Sequence, residues 1–284
     1  MLTNLAQVNE QIQKYWAPIF TQELREQLLL GALVNKSYQG DLKQGGDTVY
    51  VSQLTATTGE LKTIGVDADT FSSEAVSMSR VAIVADRRAV ASYKVADLVS
   101  LQSQLSEGKP EILESLRFAV AKKMNDYLYS LVSPSASAPD HIINSISTFG
   151  LSTLQTLHQA VNEAKWPQDG QWYGLMSPKY YADLLGVTAA TSTDFGATDA
   201  AVISGQIALK RFGFSILGDN SRSGSQALFF HPSFMHMVMQ SQVQLKVSDL
   251  HSQNQFGYVV SADVVFGAVQ AIDGNIRCIK VIST

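Results

Sequence analysis

The sequence predicts an α+β fold, because two kinds of hydrophobic periodicity occupy different stretches of the chain. Apolar residues alternate with a period of two from Val49 to Leu54, and a β-prone stretch returns over 71–84. From 109 to 132 apolar residues recur at spacings of three and four, which is typical of a helix. After residue 139 the two patterns are mixed. With 45% hydrophobic residues among 284, the chain has enough apolar material for a large core.

The first 44 residues predict an N-terminal arm. A short amphipathic segment precedes Pro18, which suits the first turn of a second helix over about 19–33. Apolar residues recur every four positions in that helix, at Phe20, Leu24, Leu28 and Ala32. An arm this apolar needs a covering surface, either the chain's own core or a neighbouring subunit, and we expect the neighbour.

Residues 45–80 predict an extended β-hairpin. Gly45 and Gly46 precede its first strand, and a segment between Gly59 and Gly65 separates it from the second. Its tip is expected near Glu60 to Ile64. Because an isolated two-stranded ribbon is marginal in water, this hairpin must pack on the body of the chain or on an adjacent copy.

The clearest helix is predicted over 109–132. Glutamates near its start and lysines toward its end complement the helix dipole. At about 1.5 Å per residue it reaches roughly 35 Å, enough to span a domain. Its apolar positions are Leu113, Leu116, Val120, Met124, Tyr127 and Leu131.

A breaker-rich linker over 133–139 leads into a mixed α/β region. Ser177 and Pro178 predict a helix start, and Gly186 predicts its end. The remaining segments are a helix around 154–164, strands around 173–176, 207–217, 227–230 and 243–247, a short helix near 233–239, and strands over 258–281 around a turn at 273–275.

The common cofactor and nucleophile motifs are absent. No two glycines lie two positions apart, which excludes a GxGxxG fingerprint, and the chain has neither a P-loop nor a GxSxG elbow. The histidines lack zincin spacing, and a metal site at His231 and His236 or at Asp67 and Asp69 is disfavoured against ordinary structural positions. We expect no catalytic residues, no cofactor and no metal, and therefore no enzyme.

Charge and cysteine content narrow the function classes further. A net charge of −4 argues against a dedicated nucleic-acid binder. Charged residues are only 16% of the chain, so its surface is short of charge. Cys278 is alone, which excludes an intramolecular disulfide and fits synthesis in a reducing cytoplasm. The longest apolar run has seven residues, 28–34, too few for a membrane span.

Several segments, taken in order, resemble the major capsid protein of tailed bacteriophages, whose shell fold is also found in encapsulins and in the herpesvirus capsid floor. The order of these degenerate motifs over essentially the whole chain carries the resemblance. They are the stretches 33–40 with 45–49, 84–86 with 93–97, 175–181, 205–207 with 212–214, 229–231, and 266–268 with the strand to Val281.

The resemblance implies a phage major-capsid fold with four parts. These are an N-terminal arm over 1–44, an extended loop over 45–80, a peripheral domain over 81–135 and 253–284 with the spine helix at 109–132, and an axial domain over 136–252. It implies a structural protein that self-assembles into pentamers and hexamers of an icosahedral shell enclosing double-stranded DNA. The implied partners are further copies of the chain, portal and scaffolding proteins, a decoration protein and, weakly, the packaged DNA. The implied location is the virion, after assembly in the bacterial cytoplasm.

Two sets of residues are candidates for contacts in such a shell. Some relatives cross-link subunits through a loop lysine, but no partner for Lys62 can be matched and no covalent bond is predicted. The candidate inter-subunit residues are Tyr15, Trp16, Phe20, Leu24, Glu60, Lys62 and Ile64. The candidate residues for an inner face near DNA are Lys109, Arg117, Lys122 and Lys123, although such charges are more often simply solvated.

Two other functions compete with this interpretation. An encapsulin-type nanocompartment shell shares the fold but encloses enzymes, and an enzyme of unrecognised class would use an unfamiliar site. If the arm and the ribbon are clamps between subunits, removing 1–33 or the tip from Glu60 to Ile64 leaves a folded monomer that assembles poorly.

Overall fold

The computed structural model describes residues 25–38, 48–62, 73–96, 110–187, 210–240, 244–253 and 255–283. Two cores are built around two sheets, and a two-stranded ribbon joins the first of them. The elements are α1 (Leu30–Leu33), β1 (Thr48–Leu54), β2 (Met78–Val84), β3 (Arg87–Ala96), α2 (Pro110–Ser130), β4 (Ile142–Ile143), α3 (Leu151–Glu163), β5 (Trp172–Met176), α4 (Pro178–Leu185), β6 (Phe214–Gly218), β7 (Gln226–Phe230), β8 (Met235–Met239), β9 (Gln244–Asp249), β10 (Gly257–Gln270) and β11 (Cys278–Ile282).

The predicted ribbon is confirmed. β1 and β2 pair antiparallel over seven residues each, from Thr48 opposite Val84 to Leu54 opposite Met78. Hydrogen bonding continues one step further, where the Thr55 amide donates to the Ser77 carbonyl. The expected tip falls partly outside the described residues, which stop at Lys62 and resume at 73.

The first core lies between α2 and a sheet in which β10 is central. β10 pairs with β3 along one edge and with β8 and β9 along the other, always antiparallel. The predicted spine helix is confirmed as the 21 residues of α2. It buries a stripe of residues spaced four apart, and the other expected positions, Leu113, Tyr127 and Leu131, are partly buried against the same core. This stripe is Leu116, Val120, Met124 and Leu128.

The second core surrounds a five-stranded sheet of order β4-β11-β7-β5-β6. Helices α3 and α4 bury their apolar faces in the same cluster. Phe229 on β7 is fully buried, with its ring 5.0 Å from Phe214 and 6.0 Å from Phe149. Aromatic packing on a central strand therefore stabilises this half of the molecule.

The short helix expected near 233–239 is wrong. Pro232–Phe234 form a single 3₁₀ turn, and the next five residues form β8, paired with β10 from Met239 opposite Phe266 to Met235 opposite Gln270. Four of these five side chains are buried, so both faces of the strand are covered. A strand buried on both faces shows no alternation, and periodicity cannot distinguish it from a short helix.

The two sheets do not follow the expected division of the chain into a peripheral and an axial part. β11, expected with the peripheral part over 253–284, lies in the five-stranded sheet between β4 and β7. β8 and β9, expected in the axial part over 136–252, pair with β10 in the other sheet. The 3₁₀ turn at Gly274–Ile276 carries the chain from one sheet to the other. Strand periodicity does not encode the pairing partner, so the sequence could not place these strands.

The second helix of the arm is shorter than expected. Of the predicted span 19–33, the residues from 25 onward are described, and only Leu30–Leu33 are helical. Residues 25–29 instead follow the surface of α2, where their charged side chains find partners. The first predicted segment and Pro18 lie outside the described residues.

Cys278 is expected to resist thiol reagents in the folded protein. It is completely buried at the start of β11, and burial raises the pKa of its thiol to about 12. Because the thiolate is the reactive form, a disulfide reagent at pH 8 should label almost none of the native protein. In denaturant the same reagent should release one equivalent, since the chain has one cysteine. Rapid labelling of the native protein at pH 8 would contradict this placement of β11.

Candidate functional site

The outer face of the ribbon exposes large apolar side chains. Tyr50 and Leu54 on β1 are each 62% exposed, and Met78 on β2 is 68% exposed. In the adjoining segments Val76 and Leu61 are exposed as well. Several large apolar side chains exposed together on one face of a sheet are unusual for a monomer and typical of an interaction surface.

The strand register assembles this stripe. Leu54 lies directly opposite Met78, and Tyr50 lies opposite Ala82 on the same face. The Arg80 guanidinium lies over the Tyr50 ring, 5.3 Å from its centroid. Within this outer stripe, defined as Tyr50, Leu54, Val76, Met78 and Arg80, the cation and the ring form one amphipathic patch.

The opposite face of the ribbon packs on the chain's own body. Val49 and Val51 on β1 and the fully buried Ile83 on β2 contact Val238 of β8. The Gln53 side-chain amide donates to Asp273 over 2.5 Å. A ribbon seated by one face presents its other face to the exterior.

The base of the ribbon leaves no room for a side chain on β10. A Cβ added to Gly267 would overlap the backbone carbonyl of Val84, the last residue of β2. The close approach of two backbones fixes where the ribbon leaves the body. The direction of the outer stripe is therefore set by main-chain packing.

A chain of polar contacts continues inward from Asp273, which binds Gln53 on the seated face of the ribbon. Arg277 lies 3.6 Å from Asp273 and donates to the Ser233 hydroxyl over 3.1 Å. Ser233 contacts His231 Nδ1 at 2.7 Å, and His231 Nε2 lies 2.9 Å from Asp169. These contacts link the end of β1 at Gln53 to the loop that follows α3.

The order Asp169–His231–Ser233 matches that of a serine hydrolase relay, but the turn supplies no oxyanion donors. The Ser233 amide donates to His231 Nδ1, and the Phe234 amide donates to the His231 carbonyl. An oxyanion hole needs free donors beside the nucleophile, and both N–H groups of this described turn are already used. The arrangement is better explained as a side-chain cap of the 3₁₀ turn.

Of the contact residues predicted from the sequence, Glu60 and Lys62 lie within the described residues. Glu60 and Lys62 form an ion pair at 2.9 Å in the segment after β1, with about a third of each side chain exposed. Tyr15, Trp16, Phe20, Leu24 and Ile64 lie outside the described residues. The exposed residues of the outer stripe were not among the predicted contacts.

The alternation itself could have identified the stripe. The prediction treated Val49, Val51 and Leu54 as one alternating series. Leu54 lies three residues after Val51, so its side chain points to the other face of the strand. Large apolar residues at both parities indicate a strand whose two faces are both covered.

The end of the arm lies on the chain's own body, so the expectation that a neighbour covers it is wrong for the described residues. Arg25 pairs with Glu114 of α2 at 3.0 Å, and Glu26 pairs with Lys122 at 2.6 Å. Leu30 is fully buried in the first core. Intramolecular contacts therefore hold the arm from Arg25 onward.

The basic residues of α2 do not share one environment. The Lys122 ammonium donates a hydrogen bond to the Glu26 carboxylate, and this bond raises the pKa of Lys122. Arg117 and Lys123 are exposed, and Lys109 lies outside the described residues. All three of the described candidate cations are exposed, and Lys122 is held by its ion pair with Glu26.

Reversing the charge of Lys122 is expected to loosen the arm. In Lys122→Glu the new carboxylate opposes Glu26, so trypsin should cleave after Arg25 about two- to fivefold faster, as befits a partly exposed pair. Lys123→Glu is the matched control, because it makes the same charge change on the adjacent exposed residue. Equal cleavage rates in the two variants would refute the role of the Glu26 pair.

Neither a metal-ion cluster nor a membrane-spanning helix occurs among the described residues. No three His, Cys, Asp or Glu side chains there are grouped closely enough to hold a metal ion. No helix within the described ranges is long and apolar enough to cross a membrane.

The fold is that of chains in solved bacteriophage capsids. A structure from Mycobacterium phage Che8 superposes with a TM-score of 0.75 at 18% identity, covering 95% of this chain and 96% of the other. The capsid of cyanophage P-SCSP1u gives 0.72 at 14% identity, with 97% and 94% covered. The mature capsid of bacteriophage PhiM1 gives 0.67 at 11% identity, with 95% and 91% covered. No protein-family model and no curated protein matches the chain.

Proposed function

We propose that this chain is the subunit of an icosahedral capsid shell that assembles in pentamers and hexamers around double-stranded DNA. The observation that carries the proposal is the outer stripe, an apolar face on a ribbon whose other face is seated on the body. The end-to-end likeness to chains of phage capsids supports it. Its role is structural rather than enzymatic.

Assembly follows from placing this stripe against a different surface of the next copy. Contacts of that head-to-tail type close into rings when the rotation allows. Each contact is small, but a shell repeats it in every subunit, so avidity makes the whole stable. The low charge content of the chain suits a surface that ends largely buried against copies of itself.

In this proposal the four parts of the subunit have different roles. The arm over 1–44 and the extended loop over 45–80 bind neighbours, and the arm does so through residues before Arg25. The peripheral part contains α2 and the β10 sheet, and the axial part contains the five-stranded sheet with α3 and α4.

Contact with packaged DNA is proposed to be weak and non-specific. Arg117 and Lys123, with Lys109, are the cations that can approach phosphates, whereas Lys122 is occupied by Glu26. A net charge of −4 limits the electrostatic attraction between the inner wall and the DNA phosphates. We also propose that portal, scaffolding and decoration proteins are partners of this chain. Assembly takes place in the bacterial cytoplasm, and the finished shell belongs to the virion.

Negative-stain electron microscopy of the purified full-length chain tests this function. We expect shells, or pentamers and hexamers, at high protein concentration. A small discrete oligomer or a persistent monomer would contradict the proposal and would favour an enzyme of unrecognised class. Shells that form in cells around protein cargo without DNA would favour a nanocompartment instead.

A further inference from the structure

A cavity of about 120 Å³ lies between the end of α2 and the five-stranded sheet. Its apolar floor is formed by Leu175, Ala227 and Leu228, and the ring of Tyr129 forms one wall. A water molecule takes roughly 30 Å³, so the space suits a ligand of about five heavy atoms. The polar groups that line it are Ser177, Asp219, Arg222, Gln226 and Lys280.

Two cations on separate elements line this cavity. Arg222 stacks on the Tyr129 ring at 3.8 Å and pairs with Asp126 at 3.0 Å, but its Nε is buried and makes no hydrogen bond. Lys280 lies on β11, and among the contacts of the described residues its ammonium has no partner. Both side chains are only partly buried, so their remaining N–H donors can reach an acceptor that enters the cavity.

The single carboxylate of the lining is already satisfied. Asp219 is almost completely buried and accepts hydrogen bonds from the Tyr129 hydroxyl and, at 2.9 Å, from the Ser221 amide. Burial and the contact with Asp219 raise the pKa of Tyr129, which therefore stays a neutral donor. With Asp126, the partner of Arg222, included, the two cations Arg222 and Lys280 are matched by two carboxylates, so anion binding depends on the donor groups rather than on a net charge.

A hydroxyl completes the donor set. Ser177 precedes α4 but its side chain does not cap that helix, and its oxygen accepts only a long 3.4 Å bond from the Gln226 amide. Its own O–H is free to donate into the cavity. Guanidinium, ammonium and hydroxyl donors around one small space are the groups that bind tetrahedral oxyanions.

We propose that this cavity binds a small tetrahedral oxyanion of the phosphate or sulfate class through Arg222, Lys280 and Ser177. The ligand joins the end of the spine helix to the five-stranded sheet, because Arg222 packs on α2 through Tyr129 while Lys280 and Ser177 belong to the sheet side. This site is independent of the proposed function and does not require assembly. A quarter of the Arg222 side chain is exposed, which gives the ligand a route of entry.

Phosphate titration of the purified full chain tests the site. At constant ionic strength, with chloride replaced by phosphate, the melting temperature should rise saturably by roughly 2–5 °C at ten times the dissociation constant. The ³¹P resonance of phosphate should broaden over the same concentrations. Lys280→Met should abolish both effects, and Arg222→Gln should do the same.

Two comparisons keep the test decisive. Arg222→Gln also loses the contacts with Tyr129 and Asp126, so Lys280→Met and the ³¹P measurement separate ligand binding from folding. Lys179→Met is the matched control, because Lys179 bonds the Ser225 hydroxyl outside the cavity and its removal should leave the phosphate response intact. A response that rises without saturation, or that is equal in Lys280→Met and the unaltered chain, overturns the proposal, since general salt exclusion would explain it.

Discussion

Replacing Leu54 and Met78 together by aspartate is expected to abolish shell formation while leaving the subunit folded. The two side chains face each other on the outer stripe and contribute little to either core, because both are mostly exposed in the single chain. In an assembled interface two new carboxylates would be buried beside one cation of the stripe, Arg80, at a cost of several kcal/mol. Sedimentation should show at least a tenfold fall in the assembled fraction, and circular dichroism should be unchanged.

The matched control exchanges the two residues, as Leu54→Met with Met78→Leu. This variant keeps the volume and apolar character of the stripe, so it should assemble like the unaltered chain. Normal assembly of the double aspartate variant would show that the stripe is not an interface. Failure of the exchange variant would show that assembly depends on some other property of these positions.

The substitution Gly174→Ala is expected to destabilise the second core by about 1–3 kcal/mol. A Cβ at this position on β5 would lie 2.5 Å from Cε1 of the Phe229 ring. That ring cannot move aside, because it is fully buried between Phe149 and Phe214. Chemical denaturation of the unassembled subunit measures the effect.

Shrinking the opposing ring should partly restore the stability of this variant. Phe229→Leu alone leaves a cavity and is destabilising, but in the Gly174→Ala background the new methyl group occupies part of that space. The double variant should therefore be more stable than the two single effects predict, by at least about 0.5 kcal/mol. Simple additivity would mean that the glycine is not required by the Phe229 ring.

The sequence predicts the ribbon and the spine helix well because each has a strong periodic signal of its own. The four-residue spacing from Leu116 to Met124 reports the buried face of α2 directly. The alternation bounded by glycines likewise predicts two strands. They are close in sequence and pair antiparallel with each other. Such elements need no knowledge of the rest of the fold.

The parts that the sequence misses depend on contacts between distant residues. β8 lacks alternation because both of its faces are covered. β11 follows a turn in which the chain leaves the first sheet, and it then pairs with β7 in the second sheet. Residues 25–29 are not helical and lie against α2, where Arg25 and Glu26 form ion pairs with residues about 90 to 100 positions away. No local pattern encodes these partners.

The structure also changes the deletion that tests the arm. Removing 1–33 would delete Leu30, which is fully buried, and would break both ion pairs with α2. Loss of assembly would then reflect a damaged core. A deletion that ends before Arg25 removes the candidate contacts Tyr15, Trp16, Phe20 and Leu24 and leaves the docked segment in place.

Cross-linking of isotope-mixed shells tests most directly whether the outer stripe is covered by a sister subunit. Equal amounts of ¹⁴N- and ¹⁵N-labelled chain carrying a photoreactive residue in place of Tyr50 would be co-assembled, irradiated and analysed by mass spectrometry. We expect most cross-links from position 50 to join different chains and to vanish in unassembled protein; random mixing of equal amounts then makes about half of these inter-chain cross-links light–heavy pairs. Cross-links confined within single chains, or equally frequent before and after assembly, would contradict it.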